Sequence, residues 1–414
     1  MVKSLEPSKS FAERLGLPPD VRVPLEHTVA SSEARPRVAD VAAAAREALT
    51  TPLKYPAFVE GVVPGDRLAV AIDEAVPEVV CVVRGVIEAA LAAGIEQDAI
   101  SIVSSDEPFC IYLRDQLGPD VRVVVHDPED EQDLALVALN EKNQRLLVNR
   151  EIFEADIVLP VGCARLAGTA GCSVYESLFP RLSSAETIGR LRTPSQRATA
   201  SRLAKSQHKS DEAGWLLGVP LVMQVVPGGD GTVAAVVAGD PEAVAERVQK
   251  LCHELWSFEV PQQASLVIAN VPGGLREQTW ENIGRALAAT EPLVAEYGAV
   301  AICSELDDRP GHALGQLIGS DDYAQVEANV RNDHSADSWT AWHVARALQR
   351  GPVYFLSRLP ADDVEELGLA PVADLEELAR LASHQESCIV LDHSQYAVAS
   401  VAGADDEEDE AENE

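Results

Sequence analysis

Positive charge is scarce in this chain. Its 414 residues hold 33 lysines and arginines against 67 aspartates and glutamates, a formal net charge of -34. So acidic a protein is repelled by phosphate backbones and anionic headgroups, which argues against nucleic acid or a membrane surface as its main partner. Cysteine is sparse and unpatterned: seven are scattered along the chain with no Cys-x-x-Cys. An odd count, with apolar neighbours around Cys81 and Cys388, suggests buried thiols in a reducing compartment, so a cytoplasmic location is expected. Long apolar runs are missing too. Arg84 and Glu88 interrupt the best candidate, Val79 to Ile95, and no membrane span is expected. The first residues, MVKSLEPSKSFAERLG, hold no apolar core of a secretory signal. Short catalytic signatures are also absent: there is no P-loop, no Gly-x-Ser-x-Gly, no His-Glu-x-x-His and no Gly-x-Gly-x-x-Gly after a strand. His334 and His343 flank Trp339 and Trp342, but their spacing does not put two imidazoles one helical turn apart, so no metal site is expected there.

What is present is an alternation of apolar runs and helical patterns. Arg67–Ile72 reads as a strand, Glu78–Ala93 as a helix ending at Gly94, and Ala99–Val103 as the next strand. Pro108–Leu117 is a helix closed by Gly118, and Val121–Val125 is a third strand. Asp156–Val161 is an apolar run that ends in Gly162, followed by small residues including Gly168 and Gly171. Upstream, Val38–Leu49 has helical spacing. Downstream, Leu221–Val226 and Val233–Val237 flank a Pro-Gly-Gly-Asp-Gly turn and read as a hairpin. Pro241–Leu255 is a helix, and Pro261-Gln262-Gln263 reads as a linker. A second α/β pattern restarts at Ser265, with a helix over Thr279–Tyr297 and strands at Ala299–Cys303, Val353–Leu356 and Cys388–Leu391. Arg181–Lys209 is basic and polar, and reads as surface. This pattern predicts an α/β protein of two α/β domains with mainly parallel sheets covered on both faces. The block from residue 404 to 414 is a run of acids that stays solvated, and a basic protein is the partner such a tail would suit.

Polar groups collect at the predicted strand ends: Asp73 and Glu74 after the first, Ser104, Ser105 and Asp106 after the second, His126 and Asp127 after the third, Cys163 and Arg165 after the fourth. In an open parallel sheet such ends face one crevice. Helix caps and turn formers occupy the same positions, and Asp73, Ser105 and Asp106 suit that role equally. A hydrolase built on Ser105 or Cys163 with His126 lacks any sign of an oxyanion hole or a positioned triad.

In order along the chain, the segments PGDRLAVAIDEAVP, AAGIEQDAISIVSSDEP, VVVHDPED, VNREIFEADIVLPVG, GTAG, SDEAGWLLGVP, VPGGLREQTWENIGRAL and GPVYFLSRLP resemble the nickel-dependent lactate racemases and their larger superfamily. The resemblance spans about Leu25 to Val401. It implies two lactate racemase-like domains, over residues 1–260 and 266–403, with a cleft between them. It also implies racemase or epimerase activity on a 2-hydroxy acid through a nickel pincer nucleotide: a pyridinium-derived cofactor tethered to a lysine, nickel also held by a histidine, and two further histidines as acid and base.

This sequence departs from that pattern at the attachments. Asp106 replaces a catalytic histidine. Ser173 and Val174 stand where the tether lysine belongs, and Arg192 where the histidine ligand belongs. A proline-histidine segment before the glycines is missing. No cofactor is therefore expected. Valine cannot form the tether, and an arginine, always cationic, cannot ligate nickel. Asn282 and Arg285 stand where the family has a glutamine and a lysine that reach the site, and Glu305 also matches. Two readings follow. In the first, a divergent enzyme holds a carboxylate with Arg192 and Arg285 and moves a proton with Asp106 or His126. In the second, a non-catalytic binding or regulatory protein on the same fold takes a small carboxylate or other small anion, using residues drawn from Asp73, Arg165, Gly168, Gly171, Arg192, Asn282, Arg285 and Glu305.

Overall fold

The computed structural model describes residues 11–16, 36–139, 145–167, 169–192, 209–274, 276–333 and 335–403. The residues group into two compact units. Among the described residues, one unit holds those of 36–191 and 209–254, and the other those of 255–403 together with 11–16. The short helix α1 (Phe11–Leu15) therefore joins the C-terminal unit, whereas the sequence expectation for residues 1–260 put it in the first domain. The reason is packing: Phe11 and Leu15 are buried in one core cluster with Leu266, Ile268, Ala301 and Leu378.

In the N-terminal unit, helix α2 (Val41–Thr50) is capped by the Asp40 carboxylate, which accepts from the Ala43 N–H at 2.9 Å. Strand β1 (Leu68–Ile72) is buried along its whole length. Helix α3 (Val79–Ala92) packs against α2 so closely that a Cβ on Gly85 would lie 2.2 Å from the Ala42 carbonyl oxygen. Strand β2 (Ile100–Ser104), helix α4 (Glu107–Leu117) and strand β3 (Arg122–Val125) follow, each within a residue or two of its sequence expectation. Next come an antiparallel pair, β4 (Leu134–Leu139) and β5 (Arg145–Asn149), the short helix α5 (Arg150–Phe153), strand β6 (Ile157–Cys163), helix α6 (Ala185–Arg192), strands β7 (Val222–Gly229) and β8 (Thr232–Gly239), and helix α7 (Pro241–Trp256). Strand β6 runs on through Gly162 to Cys163, so the chain turns one residue later than the glycine suggests.

The main sheet has the order β3-β2-β1-β6-β7-β8, parallel except for β8, which is antiparallel to β7. Strands β1, β2 and β3 are laid down in one direction, and β6 then adds on the other side of β1. The reversal makes the gap between the ends of β1 and β6 a topological switch point. In open α/β sheets, ligands bind outside the strands' carboxyl ends at such a point.

The C-terminal unit begins with β9 (Ser257–Val260), which pairs in parallel with β15 (Val398–Val401). The Pro261-Gln262-Gln263 segment is thus a turn inside this unit, between β9 and β10, and not a linker. Its main sheet is fully parallel in the order β13-β12-β11-β10-β14: β10 (Ala264–Asn270), β11 (Val294–Cys303), β12 (Val353–Leu356), β13 (Ala370–Pro371) and β14 (Cys388–Leu391). Helix α8 (Trp280–Thr290) is shorter than the expected Thr279–Tyr297. Pro292 follows in a single 3₁₀ turn, where its missing N–H and its ring end the α-helical ladder. Strand β11 then starts early, at Val294, and passes through Tyr297 at φ 60° with a register shift against β10. Helices α9 (Tyr323–Val330) and α10 (Ser338–Arg350) complete the elements used below. Gly284 of α8 faces Trp339 and Thr340 of α10, where a Cβ would approach within 2.7 Å. Packed in this way, α8 is buried nearly all round.

Candidate functional site

The switch point of the N-terminal unit holds a largely buried cluster of charged side chains, Asp73, Glu74, Arg165 and Arg181. Asp73 leaves the end of β1 and is only 1 % exposed. Its Oδ2 lies 3.3 Å from Arg165 Nη1 and accepts from the Cys163 N–H at 3.4 Å; its Oδ1 accepts from the Ala75 N–H at 2.9 Å. Arg165 leaves the end of β6, is 6 % exposed, and also donates to the Cys163 carbonyl at 3.1 Å. Arg181, 4 % exposed, places Nη2 3.9 Å from Asp73 Oδ1 and makes a close ion pair with Glu74 through Nη1. Carboxylates thus face both buried guanidiniums, which offsets part of the cost of taking these charges out of water. Gly171, at φ 77°, lets the glycine loop approach Arg165: a Cβ there would sit 3.7 Å from Nη1.

Of the residues expected at the site, the structure brings Asp73, Arg165 and Gly171 together. Gly168 lies outside the described residues. Arg192 ends α6, and its side chain is outside the description as well. Arg181, which the sequence offers both as the start of a surface stretch and as one of the charges that could hold a small polar ligand, is buried beside Asp73 and Glu74; Glu74 reads in the sequence only as a strand-end acid. The signal that would have found the pair is the adjacency of a strand-end acid to Asp73, combined with a lone arginine in the apolar run Tyr175–Leu182.

Asp106 is the N-cap of α4: its Oδ1 accepts from the Phe109 N–H at 2.6 Å. Here the capping reading of a strand-end acid is the one realised. His126 is held on both sides. Its Nε2 lies 2.8 Å from the Ser183 carbonyl oxygen, which can only accept, so Nε2 carries the proton. Its Nδ1 lies 3.1 Å from Asn149 Nδ2, and the Asn149 amide is oriented by its Oδ1 accepting from the Glu151 N–H at 3.0 Å. The ring is therefore neutral and in one tautomer. Burial pushes its pKa below the usual histidine range, against the opposing pull of the Ser183 carbonyl. With both nitrogens occupied, His126 braces β3 against β5 and the segment before α6, and has no lone pair left to take a substrate proton.

Ser173 and Val174 are also committed to the fold. The Ser173 hydroxyl accepts from the Tyr175 N–H at 3.1 Å and donates to Asp211 Oδ1 at 3.3 Å. Val174 is buried, and its carbonyl accepts from Gln224 Nε2 at 3.1 Å. The Gln224 amide lies over Gly162, where a Cβ would be 2.6 Å from Nε2. Among the described residues, no group of three or more His, Cys, Asp or Glu is placed to hold a metal ion.

In the C-terminal unit, Arg285 donates to Asn282 Oδ1 at 2.7 Å and to Glu281 Oε1 at 2.5 Å, both on its own helix. Asn282 Nδ2 donates in turn to the Glu277 carbonyl at 2.8 Å. Glu305 is exposed and paired with Arg358 at 2.6 Å. The buried hub here is Gln278, which reasoning from the sequence missed. Its Oε1 accepts from Ser304 Oγ at 2.6 Å and the Glu305 N–H at 2.8 Å, and its Nε2 donates to the Val271 carbonyl at 3.0 Å, tying the ends of β10 and β11.

Two α/β units, one of them with a switch-point cluster of buried charges, define the class, and known proteins of similar sequence and fold can be set beside it. Residues 19–192 match the lactate racemase N-terminal domain. The fold is similar to that of the lactate racemase apoprotein from Thermoanaerobacterium thermosaccharolyticum, with a TM-score of 0.70, 16% identity, and 88% of this chain and 94% of that one covered. It is also similar to a structural-genomics protein from Thermotoga maritima, with a TM-score of 0.63, 12% identity, and coverage of 86% and 97%. No curated protein matches. Over residues 19–192 the chain is thus similar to the lactate racemase N-terminal domain, and its fold as a whole is similar to that of the lactate racemase apoprotein.

Proposed function

We propose that this chain is a lactate racemase-like protein that has shed the nickel pincer chemistry and works by binding a small carboxylate. The observation that carries this reading is the commitment of the replaced positions. The resemblance reserves them for a tether lysine and histidines; here they hold a Ser173 hydroxyl bonded to Asp211 and Tyr175, a buried Val174, and an Asp106 that caps its helix. Neither a serine hydroxyl nor a valine can take the lysine's place, and Asp106 is drawn to the backbone of α4. The residues present do not fit the pincer nucleotide, and no step is routed through it.

A second support is the loss of a proton-moving pair. Abstraction at a substrate α-carbon needs a base within hydrogen-bond reach that has a free lone pair. His126 has both nitrogens bonded. What the N-terminal unit retains is a pair of buried guanidiniums at the switch point, the group best matched to a carboxylate. All seven cysteines are free thiols, in keeping with a reducing, cytoplasmic setting.

The test is a chiral one. The protein, produced in cells that make the pincer nucleotide, is incubated with pure L-lactate, and the enantiomers are separated by chromatography. Our reading predicts D-lactate at the level of the protein-free blank. Interconversion that scales with protein concentration would overturn it.

A further inference from the structure

A pocket in the C-terminal unit lies where strands β11 and β12 begin. That is the opposite edge of the sheet from the carboxyl ends, where ligands of open α/β sheets usually bind. Leu287, Val294, Val300, Ala347 and Pro352 form its apolar wall. His343 borders the same space and is 8% exposed. Its ring meets Trp339 and Trp342 edge-on, and among the described residues neither ring nitrogen has a hydrogen-bond partner. A buried polar group left unpaired is costly. Arg346, three residues on and on the same helical face, adds another: its Nε is buried and unbonded among the described residues. At the mouth, Arg346 and Arg350 both engage the Glu291 carboxylate.

We propose that this pocket binds a small uncharged aromatic alcohol, a molecule of the phenol class, and that His343 recognises its hydroxyl. Each part of such a ligand answers a feature of the pocket. A hydroxyl both donates and accepts, so it can donate to the imidazole and accept from Arg346 Nε. A carboxylate or phosphate would meet Glu291 at the mouth and, further in, an imidazole that burial and Arg346 keep neutral. An ammonium would meet two guanidiniums. An aromatic ring suits both the apolar wall and the arginine pair, because guanidiniums are drawn to aromatic faces. The empty space is about 360 Å³, part of it open to solvent, which limits the ligand to a single ring with its hydroxyl innermost. This site is independent of the binding reading for the switch point.

The test is an NMR titration, near neutral pH, of protein carrying carbon-13 at histidine Cε1. Phenol, toluene and benzoate are added to wild type, His343→Phe and Ala347→Leu. His343→Phe identifies the His343 signal by its loss; if that variant does not fold, His343→Gln serves. Phenol should shift the His343 signal in a saturable way. Toluene, the same ring without the hydroxyl, should bind at least about fivefold more weakly, the worth of one hydrogen bond. Benzoate should also bind more weakly than phenol. Ala347→Leu, which fills the pocket from α10 and keeps the imidazole, should abolish the response. A His343 signal indifferent to phenol would mean that water pairs with the ring, and would overturn the site. Equal affinity for toluene, tighter binding of benzoate, or an unchanged response in Ala347→Leu would overturn it too.

Discussion

Acid should weaken the C-terminal unit through one residue, His343. Its ring is buried on α10, edge-on to Trp339 at 4.5 Å and to Trp342 at 4.8 Å. Burial drives its pKa down from 6.5 to about 3, and the Arg346 guanidinium adds to the effect. Arg346 and Arg350 line the same pocket, and Glu291 opposite them is already engaged by both. A histidine depressed in this way is bound as the neutral form, so the folded state holds fewer protons than the unfolded state. Its contribution is complete above pH 6.5 and is lost as pH falls from there toward 3, at about 1.4 kcal/mol per pH unit. Between pH 7.5 and 5 the loss is about 2 kcal/mol. The assay is urea unfolding followed by tryptophan fluorescence. It reports this unit because Trp256, Trp280, Trp339 and Trp342 belong to it, whereas Trp215 of the other unit is 77% exposed already. His343→Phe keeps an aromatic ring between the two tryptophans and removes the titration. The wild type should lose about 2 kcal/mol more than His343→Phe over this pH interval. Equal losses would refute the argument, because every other acid-sensitive group cancels in the comparison.

Three further outcomes follow from the N-terminal unit. Asp73→Asn should destabilise it by about 3–5 kcal/mol, read by far-UV circular dichroism in urea, because it removes the buried carboxylate that faces Arg165 and Arg181; a cost below about 1 kcal/mol, the surface-pair range, would mean the cluster is solvated. Gly85→Ala should cost about 1–3 kcal/mol by overpacking, since the new methyl group meets the Ala42 carbonyl at 2.2 Å and the backbone must move; a neutral variant would show that α2 and α3 are not packed this closely. Asn149→Ala removes both the donor to His126 Nδ1 and the side-chain acceptor for the Glu151 N–H, and should cost about 1–3 kcal/mol. The nitrogen-15 shifts of His126 in this variant should still report the Nε2-protonated tautomer held by Ser183; a switch to Nδ1 protonation would contradict the assignment.

Much of the fold is legible in the residues because its inner strands carry their own signal. Strands β1, β2, β6 and β10 are continuous apolar runs bounded by glycine or polar ends, the pattern of strands buried on both faces. The antiparallel pair β4–β5 is not legible: its burial does not alternate, and Leu136 and Leu139 remain exposed. The pairing of β9 with β15 joins Ser257 to Val398, a contact that no local pattern encodes. The site divides in the same way. That polar groups at the ends of β1 and β6 meet follows from the parallel alternation. That Arg181 is buried beside Glu74, 107 residues away, does not, because a basic residue opening a polar stretch reads as surface. Nor does the sequence reveal that His126 is neutral and doubly bonded, since its tautomer is set by Asn149 and the Ser183 carbonyl, which only the fold brings to it.

The central claim is that the attachments of the pincer nucleotide are gone. Intact-mass spectrometry paired with metal analysis, on protein purified from cells that also make the cofactor, addresses it most directly. The account predicts the mass of the bare polypeptide and nickel far below one equivalent, with the lactate racemase of Thermoanaerobacterium thermosaccharolyticum loaded in parallel as the positive control. A covalent mass increment with about one nickel per chain, the stoichiometry of a built metal site, would contradict it.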